Sequence, residues 1–300
     1  MSLVLTLVAS DPSRPLTDAH SKEVISIIGF YNAMPICQPV WLKKKAVIEI
    51  GIDKHGGKTM MTHLREFLEE DAIDVFITPI DGRRKKILLA DMDSTIVTGE
   101  TLDDLAAHAG LKEQIAGITA RAMNGELDFH DALNERVSLL KGLPVKALQE
   151  TLDAMQYSPG AGTLIKTMRE NGTHCVLVSG GFTFFTGAVA KELEFMNHHG
   201  NELEFEDDQL TGKVKMPILD KNAKVDFLKY YMNQYSLGPD SCMTIGDGAN
   251  DIPMLKEAGL GIGYKPKPAV AEEIDNLIIH GDLTAALYAQ GYREGDFLLP

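Results

Sequence analysis

The 300-residue chain has little cysteine: only Cys37, Cys175 and Cys242. An odd count, with no metal-ligand or paired spacing, excludes a disulfide framework and a zinc centre as organising elements. Cys175 and Cys242 lie in apolar runs and read as small buried hydrophobes, which fits a reducing, cytoplasmic compartment. No run of about 18 apolar residues occurs, so no membrane-spanning helix is expected. The opening stretch, MSLVLTLVAS, lacks a basic lead and reads as a strand rather than a signal peptide. Positive charge is also scarce. Lys and Arg number 29 against 43 Asp and Glu, a formal net charge of −14. Such a surface repels nucleic acid and anionic membrane, which excludes both as general partners. It repels a phosphorylated small molecule too, so an anionic substrate has to meet a local cation, either a metal or a few placed Lys and Arg. No repeat or low-complexity segment is present. The nine His show no ligand spacing, and His198-His199 reads as a solvated pair near a turn.

What the chain does have is 44% hydrophobic residues, enough for a sizeable core, over a length comfortable for two domains. Residues 1–82 read as a small α+β unit: strand 3–10, helix 16–32, a β-rich stretch 39–52, helix 58–71 and strand 73–80. That order suggests helices on one mainly antiparallel sheet. The charged junction DGRRKK (81–86) separates it from residues 83–300. There ILLADMD (87–93), CVLVSGG (175–181) and CMTIGDG (242–248) are short apolar runs ending abruptly in polar residues, each followed by a helical stretch. Such alternation indicates a parallel sheet covered on both faces. Ligands bind beyond the carboxyl ends of strands in sheets of this kind, so the three polar clusters converge on one crevice. From about 100 to 156 four helical stretches follow without a strand. Gly110, Gly125 and Gly142 are stops and Asp128 is an N-cap, so this reads as an inserted helical bundle that caps the crevice. Residues 202–218 read as a hairpin turning near Asp207–Asp208.

Asp91-Met92-Asp93-Ser94-Thr95 ends the first of these strands. Two carboxylates two residues apart can divide labour, one as nucleophile and one moving protons. A polar turn with a local side-chain bond is the plainer alternative. A calcium loop is excluded, since Ile96 and Leu102 stand where Gly and Glu are required. Gly246-Asp247-Gly248-Ala249-Asn250-Asp251 is either a capped glycine turn or a second acidic site. Placed beside Asp91, its Asp247 would crowd carboxylates together, and Mg²⁺ relieves such crowding. Ser179-Gly180-Gly181 offers a hydroxyl and bare N–H groups before a helix, a phosphate cradle or a simple turn. Lys224 opens an amphipathic stretch and taken alone is an ordinary surface lysine. Together the four motifs supply what phosphoryl transfer requires: nucleophile, metal ligands, phosphate donors and a cation.

In order and spacing these residues resemble the haloacid dehalogenase superfamily of aspartate-nucleophile phosphotransferases. DMDSTIVTGETLDDLA, NGELDFHDALNERVSLLKGLP, VSGGF, NAK and IGDGANDIPML further resemble its phosphoserine phosphatase branch, over roughly residues 85–290. The resemblance implies a Rossmann-like α/β core with the helical cap, and hydrolysis of O-phosphoserine, the last step of serine biosynthesis. Asp91 is then the nucleophile and Asp93 the acid and base. Mg²⁺ sits on Asp91, the Asp93 backbone carbonyl and Asp247. Ser179, Gly180 and Lys224 hold phosphate oxygens, and Asn250 and Asp251 shape that shell. Glu100 meets the substrate ammonium, Arg136 its carboxylate, and Met123 and Phe129 close over the site. Alone, Glu100 and Arg136 read as a surface pair, and Met123 and Phe129 as core.

One rival uses the same residues for phosphotransfer from Asp91 to an alcohol acceptor; a rival of a different class is a regulatory or binding protein. Residues 1–82 weakly resemble the ferredoxin-like ACT fold. The loop DPSRPLT lacks a glycine for ligand contact, which leaves sensing, structural and homo-oligomerising roles open.

Overall fold

The protein is described by a computed structural model covering residues 2–123 and 126–300, with the backbone alone described at Ala120, Ala122, Met123, Phe129 and Lys221. The stop expected at Gly125 lies outside the described residues.

The N-terminal part runs β1 (Leu3–Ala9), α1 (Asp18–Phe30), β2 (Val40–Lys43), β3 (Val47–Ile52), α2 (Lys58–Leu68) and β4 (Ile73–Pro79). Its strands pair antiparallel in the order β2-β3-β1-β4, a ferredoxin-like split arrangement. Alternation along the strands sends Leu5, Leu7, Ile48, Ile50, Val75 and Ile77 into one core with α1 and α2 residues such as Val24, Ile28, Leu64 and Leu68. The opposite face is not left to solvent. Val8, Val47 and Phe76 belong to the large core of the second part.

That second part begins with β5 (Ile87–Ala90). The cap follows as α3 (Thr101–His108), α4 (Lys112–Met123), α5 (Phe129–Ser138) and α6 (Val145–Ala154). The Asp128 side chain accepts a hydrogen bond from the His130 amide at 2.8 Å, which is the expected N-cap of α5. The chain then returns through α7 (Ala161–Glu170), β6 (His174–Phe182), α8 (Thr183–Glu192) and β7 (Asn197–Asn201). A hairpin, β8 (Leu203–Glu206) and β9 (Gln209–Val214), turns through Asp207 and Asp208, both with positive φ. It braces the cap, since the Gly142 amide donates to the Leu210 carbonyl and the Val145 amide to that of Asp208. The chain ends with α9 (Lys221–Tyr235), β10 (Cys242–Gly246), α10 (Ile252–Glu257), β11 (Leu260–Tyr264), α11 (Pro268–Glu273), β12 (Asn276–Ile278) and α12 (Ala285–Ala289).

The six parallel strands run β12-β11-β10-β5-β6-β7. β5 lies centrally between β6 and β10, so the three strands carrying the motifs are neighbours. The pair His198-His199 departs from expectation. It lies on edge strand β7, where the His199 ring stacks on Phe227 at 3.7 Å between centroids and shares a 2.7 Å hydrogen bond with the Tyr231 hydroxyl. The sequence NHHGN has no apolar alternation, so only pairing with β6 reveals it as a strand.

The two parts are joined by polar contacts as well as core. Both oxygens of buried Asp74 on β4 accept backbone N–H groups, from Ile279 at 2.9 Å and His280 at 3.0 Å, and from Gly281 at 2.8 Å. The Asn276 side chain accepts the Ile77 amide at 2.7 Å. Antiparallel edge β4 is thereby covered rather than exposed.

Candidate active site

Beyond Ala90 the chain leaves the sheet through a tight, irregular turn. Asp93 is extended and Ser94 takes a positive φ of 55°, a conformation stored at functional turns. This aims the carboxylates of Asp91 and Asp93 differently. The Asp91 side chain lies against the end of β10, and the Asp93 side chain toward β6.

Lys224, near the start of α9, is 3% exposed and sits between two carboxylates. Its Nζ donates to Asp91 Oδ1 at 2.6 Å and Asp251 Oδ1 at 2.5 Å. Asp251 in turn accepts the Gly248 amide at 3.1 Å through Oδ2. Gly246 is required here: a Cβ on it would lie 2.4 Å from the Asp251 Cγ. Burial disfavours the Lys224 ammonium, but Asp251 and Asp91 more than offset this and hold its pKa above the usual value. Burial, then repulsion from Asp251, pushes the Asp91 carboxyl well above the ordinary range even though Lys224 pulls it down.

Asp91, Asp247 and Asp251 each present one oxygen within 4.8 Å of the others, and all three are buried. Three hard oxygen donors fit a Mg²⁺-class cation. The sequence expectation placed the Asp91 side chain, the Asp93 backbone carbonyl and Asp247 there. In the structure the Asp93 carboxylate is bonded to Ser179 and Thr101 instead, and Asp251, expected only in the surrounding shell, supplies the third carboxylate of the cluster.

Asp93 Oδ2 accepts the Ser179 hydroxyl at 3.0 Å and Oδ1 accepts the Thr101 amide at 2.9 Å. Burial pushes its carboxyl up to about 6, against the downward pull of those hydrogen bonds. Ser179 Oγ also accepts the Gly181 amide at 2.8 Å. Gly180 lies between them in the last turns of β6, with its carbonyl held by Asn201 Nδ2 at 2.8 Å. Asn250 is exposed at the rim of the 246–251 loop.

From the cap, Glu100 stands at the N-cap position of α3 and its Oε1 accepts the Ser94 hydroxyl at 2.8 Å, so it does reach the core turn. Arg136 on α5 is partly buried. Its guanidinium donates to the Ala132 carbonyl at 3.1 Å and Thr119 Oγ1 at 3.2 Å, and burial lowers its pKa while Asp103 and Glu100 raise it. Met123 ends α4 and Phe129 opens α5, and the side chains of both lie outside the described residues.

One site residue was not anticipated. Lys267, at the N-cap of α11, places its Nζ 3.0 Å from Asp247 Oδ2 and 3.7 Å from Glu100 Oε1, and its amide donates to the Asp247 carbonyl at 2.9 Å. In sequence it lies in YKPKP, which reads as a surface loop. Its position depends on the β10–β11 pairing.

The residues thus assembled define a class. A family model for haloacid dehalogenase-like hydrolases matches residues 88–256, and the chain belongs to that family. Within it the chain is similar to phosphoserine phosphatase SerB2 of Mycobacterium tuberculosis, 40% identical over 235 residues. The match takes in 78% of this chain and spans 58% of the relative's length. A family hydrolase from Salmonella enterica serovar Typhi superposes with a TM-score of 0.83 at 27% identity, covering 96% of this chain and 98% of the other. A phospho-aspartyl intermediate analogue of phosphoserine phosphatase superposes with a TM-score of 0.64 at 36% identity, covering 68% of this chain and 98% of the other.

Proposed function

We propose that this chain hydrolyses O-phosphoserine to serine and inorganic phosphate through a phospho-aspartyl intermediate on Asp91, the last step of serine biosynthesis. The observation that carries the reading is the difference in surroundings between the two strand-end carboxylates, which supports a division of labour. Asp91 is held by Lys224 through one oxygen, with no hydrogen bond to the other among the described residues, while burial pushes Asp93 beside it up to about 6. An acid near the operating pH serves both directions of proton transfer.

In the first step an Asp91 oxygen forms a bond to phosphorus, the bond from phosphorus to the serine oxygen breaks, and Asp93 gives its proton to that oxygen. In the second, Asp93 takes a proton from water, the water oxygen bonds to phosphorus, and the phosphorus–Asp91 bond breaks. Lys224, Ser179 Oγ and the Gly180 N–H hold phosphate oxygens throughout; the Ser179 hydroxyl turns from Asp93 Oδ2 to the phosphate when the ester binds, while the backbone that carries these donors stays fixed. Asp91, the Asp93 carbonyl and Asp247, with Asp251 and Asn250 around them, would hold Mg²⁺, which would supply charge cancellation on the phosphate. Glu100 takes the substrate ammonium. Arg136, a planar fork without a carboxylate partner at ion-pair distance among the described residues, takes the substrate carboxylate. Met123 and Phe129 close over the bound ester.

The reading includes the division at residue 82, with an ACT-like unit at 1–82, the phosphatase unit at 83–300 and the cap at about 100–156. It also includes homo-oligomerisation through the N-terminal unit and a cytoplasmic setting, for which the three unpaired thiols are support.

The test is phosphate release from L-phosphoserine and from an ester lacking amino and carboxyl groups, with Mg²⁺ or chelator. Wild type is expected to need Mg²⁺ and to prefer phosphoserine. Asp91→Asn should lose about 10³-fold or more. Arg136→Ala should lose roughly 30- to several-thousand-fold on phosphoserine, yet keep its rate on the plain ester. Full activity in Asp91→Asn sinks the mechanism. Activity confined to plain esters keeps the mechanism and overturns the Glu100 and Arg136 assignments.

A further inference from the structure

The site holds two lysines with different freedom. Lys224 is 3% exposed and bonded on both sides, to Asp91 and Asp251. It serves two of the three clustered carboxylates and is locked. The third carboxylate, Asp247, has another cation. Lys267 Nζ lies 3.0 Å from Asp247 Oδ2, and the Lys267 side chain is 41% exposed against 7% for Asp247. A second acceptor, Glu100 Oε1 on the cap, stands 3.7 Å from the same ammonium. The stem of a lysine is flexible and its charge is a compact point, so Nζ can leave Asp247 without moving the backbone. The backbone is tied separately, by the 2.9 Å bond from the Lys267 amide to the Asp247 carbonyl.

We propose that Lys267 is a displaceable counter-cation of the metal site: its ammonium neutralises Asp247 while no divalent cation is bound, and a metal must displace it to gain that oxygen. Lys267 therefore sets the affinity of the site for Mg²⁺ by competition, as a positioning residue acting through Asp247. The proposal rests on the reading of Asp247 as a metal ligand. Three buried carboxylates served by Lys224 alone would carry surplus negative charge, and Lys267 reduces it without the permanence of a second buried lysine.

The test is calorimetric binding of Mg²⁺ alone to the full chain, without substrate. Lys267→Met is expected to bind Mg²⁺ roughly tenfold tighter, the scale of one charged hydrogen bond. Lys267→Gln is measured beside it, with thermal melts of both, so that a misfolded Met variant does not decide the outcome. Lys44→Met, which removes the same charge in the turn between β2 and β3, should bind as wild type does. Unchanged or weaker Mg²⁺ binding in folded Lys267 variants overturns the proposal while leaving the metal reading intact. A wild type that binds no Mg²⁺ overturns both.

Discussion

Asp74 at the junction and Asp91 in the candidate active site are equally deep, 2% and 5% exposed, yet they are treated in opposite ways. Asp74 has both oxygens occupied by three backbone N–H groups of residues 279–281. Asp91 has one oxygen on Lys224 and shares its surroundings with Asp247 and Asp251. A carboxylate saturated by the fold has nothing left to offer a ligand and can only hold structure together. One that is crowded by like charge and short of partners is incomplete until something else arrives. Burial alone does not separate the two cases; the remaining capacity of each oxygen does.

This contrast can be broken or sharpened by substitution. The largest effect is expected from Lys224→Met. It leaves Asp91 and Asp251 buried without their cation, so both properties should fall: phosphate release by about 10³-fold or more, and stability by about 3–5 kcal/mol. Initial rates and a denaturant melt of the same preparation check this. A variant that loses activity with stability untouched would show that the pair is not coupled to the fold.

Next in size is Asp74→Ala. It orphans the Ile279, His280 and Gly281 amides, at about 1–3 kcal/mol for such a loss. The melting temperature should drop while the rate per folded molecule stays at the wild-type value. Loss of activity at full stability would end the distinction between saturated and open carboxylates.

The smallest expected effect is in pH. Burial holds the Asp74 carboxyl above its usual value of 3.8, against the pull of the three N–H groups and His280. Over the window just above 3.8 the folded state therefore binds more protons than the unfolded one. The contribution is fully present below 3.8 and is lost as pH rises through the folded value. The stability advantage of wild type over Asp74→Asn should thus be larger at pH 4 than at pH 7, as paired melts would show. A reversed trend would mean that the N–H groups outweigh burial.

Much of the frame was legible in the sequence because its signals are local. The three apolar runs before Asp91, Ser179 and Asp247 are strands β5, β6 and β10, and they are adjacent. Asp128 caps α5 and Asp207–Asp208 turn the hairpin, both through chemistry that acts within three residues. The weaker elements were missed. β7 is polar, β11 reads LGIGY with two glycines, and β12 has three residues. Each is a strand only because a neighbour pairs with it.

The sequence by itself determined which side chains stand at the ends of which strands, since hydrophobic runs and their polar stops are written along the chain. Tertiary structure alone decided what those side chains meet. Lys224 reaches Asp91 across 133 residues, and Asp74 meets the 279–281 amides across 205 to 207. Lys267 finds Asp247 because β10 and β11 lie side by side. Strand pairing and burial, summed over the whole core, bring these groups within hydrogen-bond reach. No local pattern encodes such a distance, so which carboxylate is saturated and which stays open becomes readable only when the chain is folded.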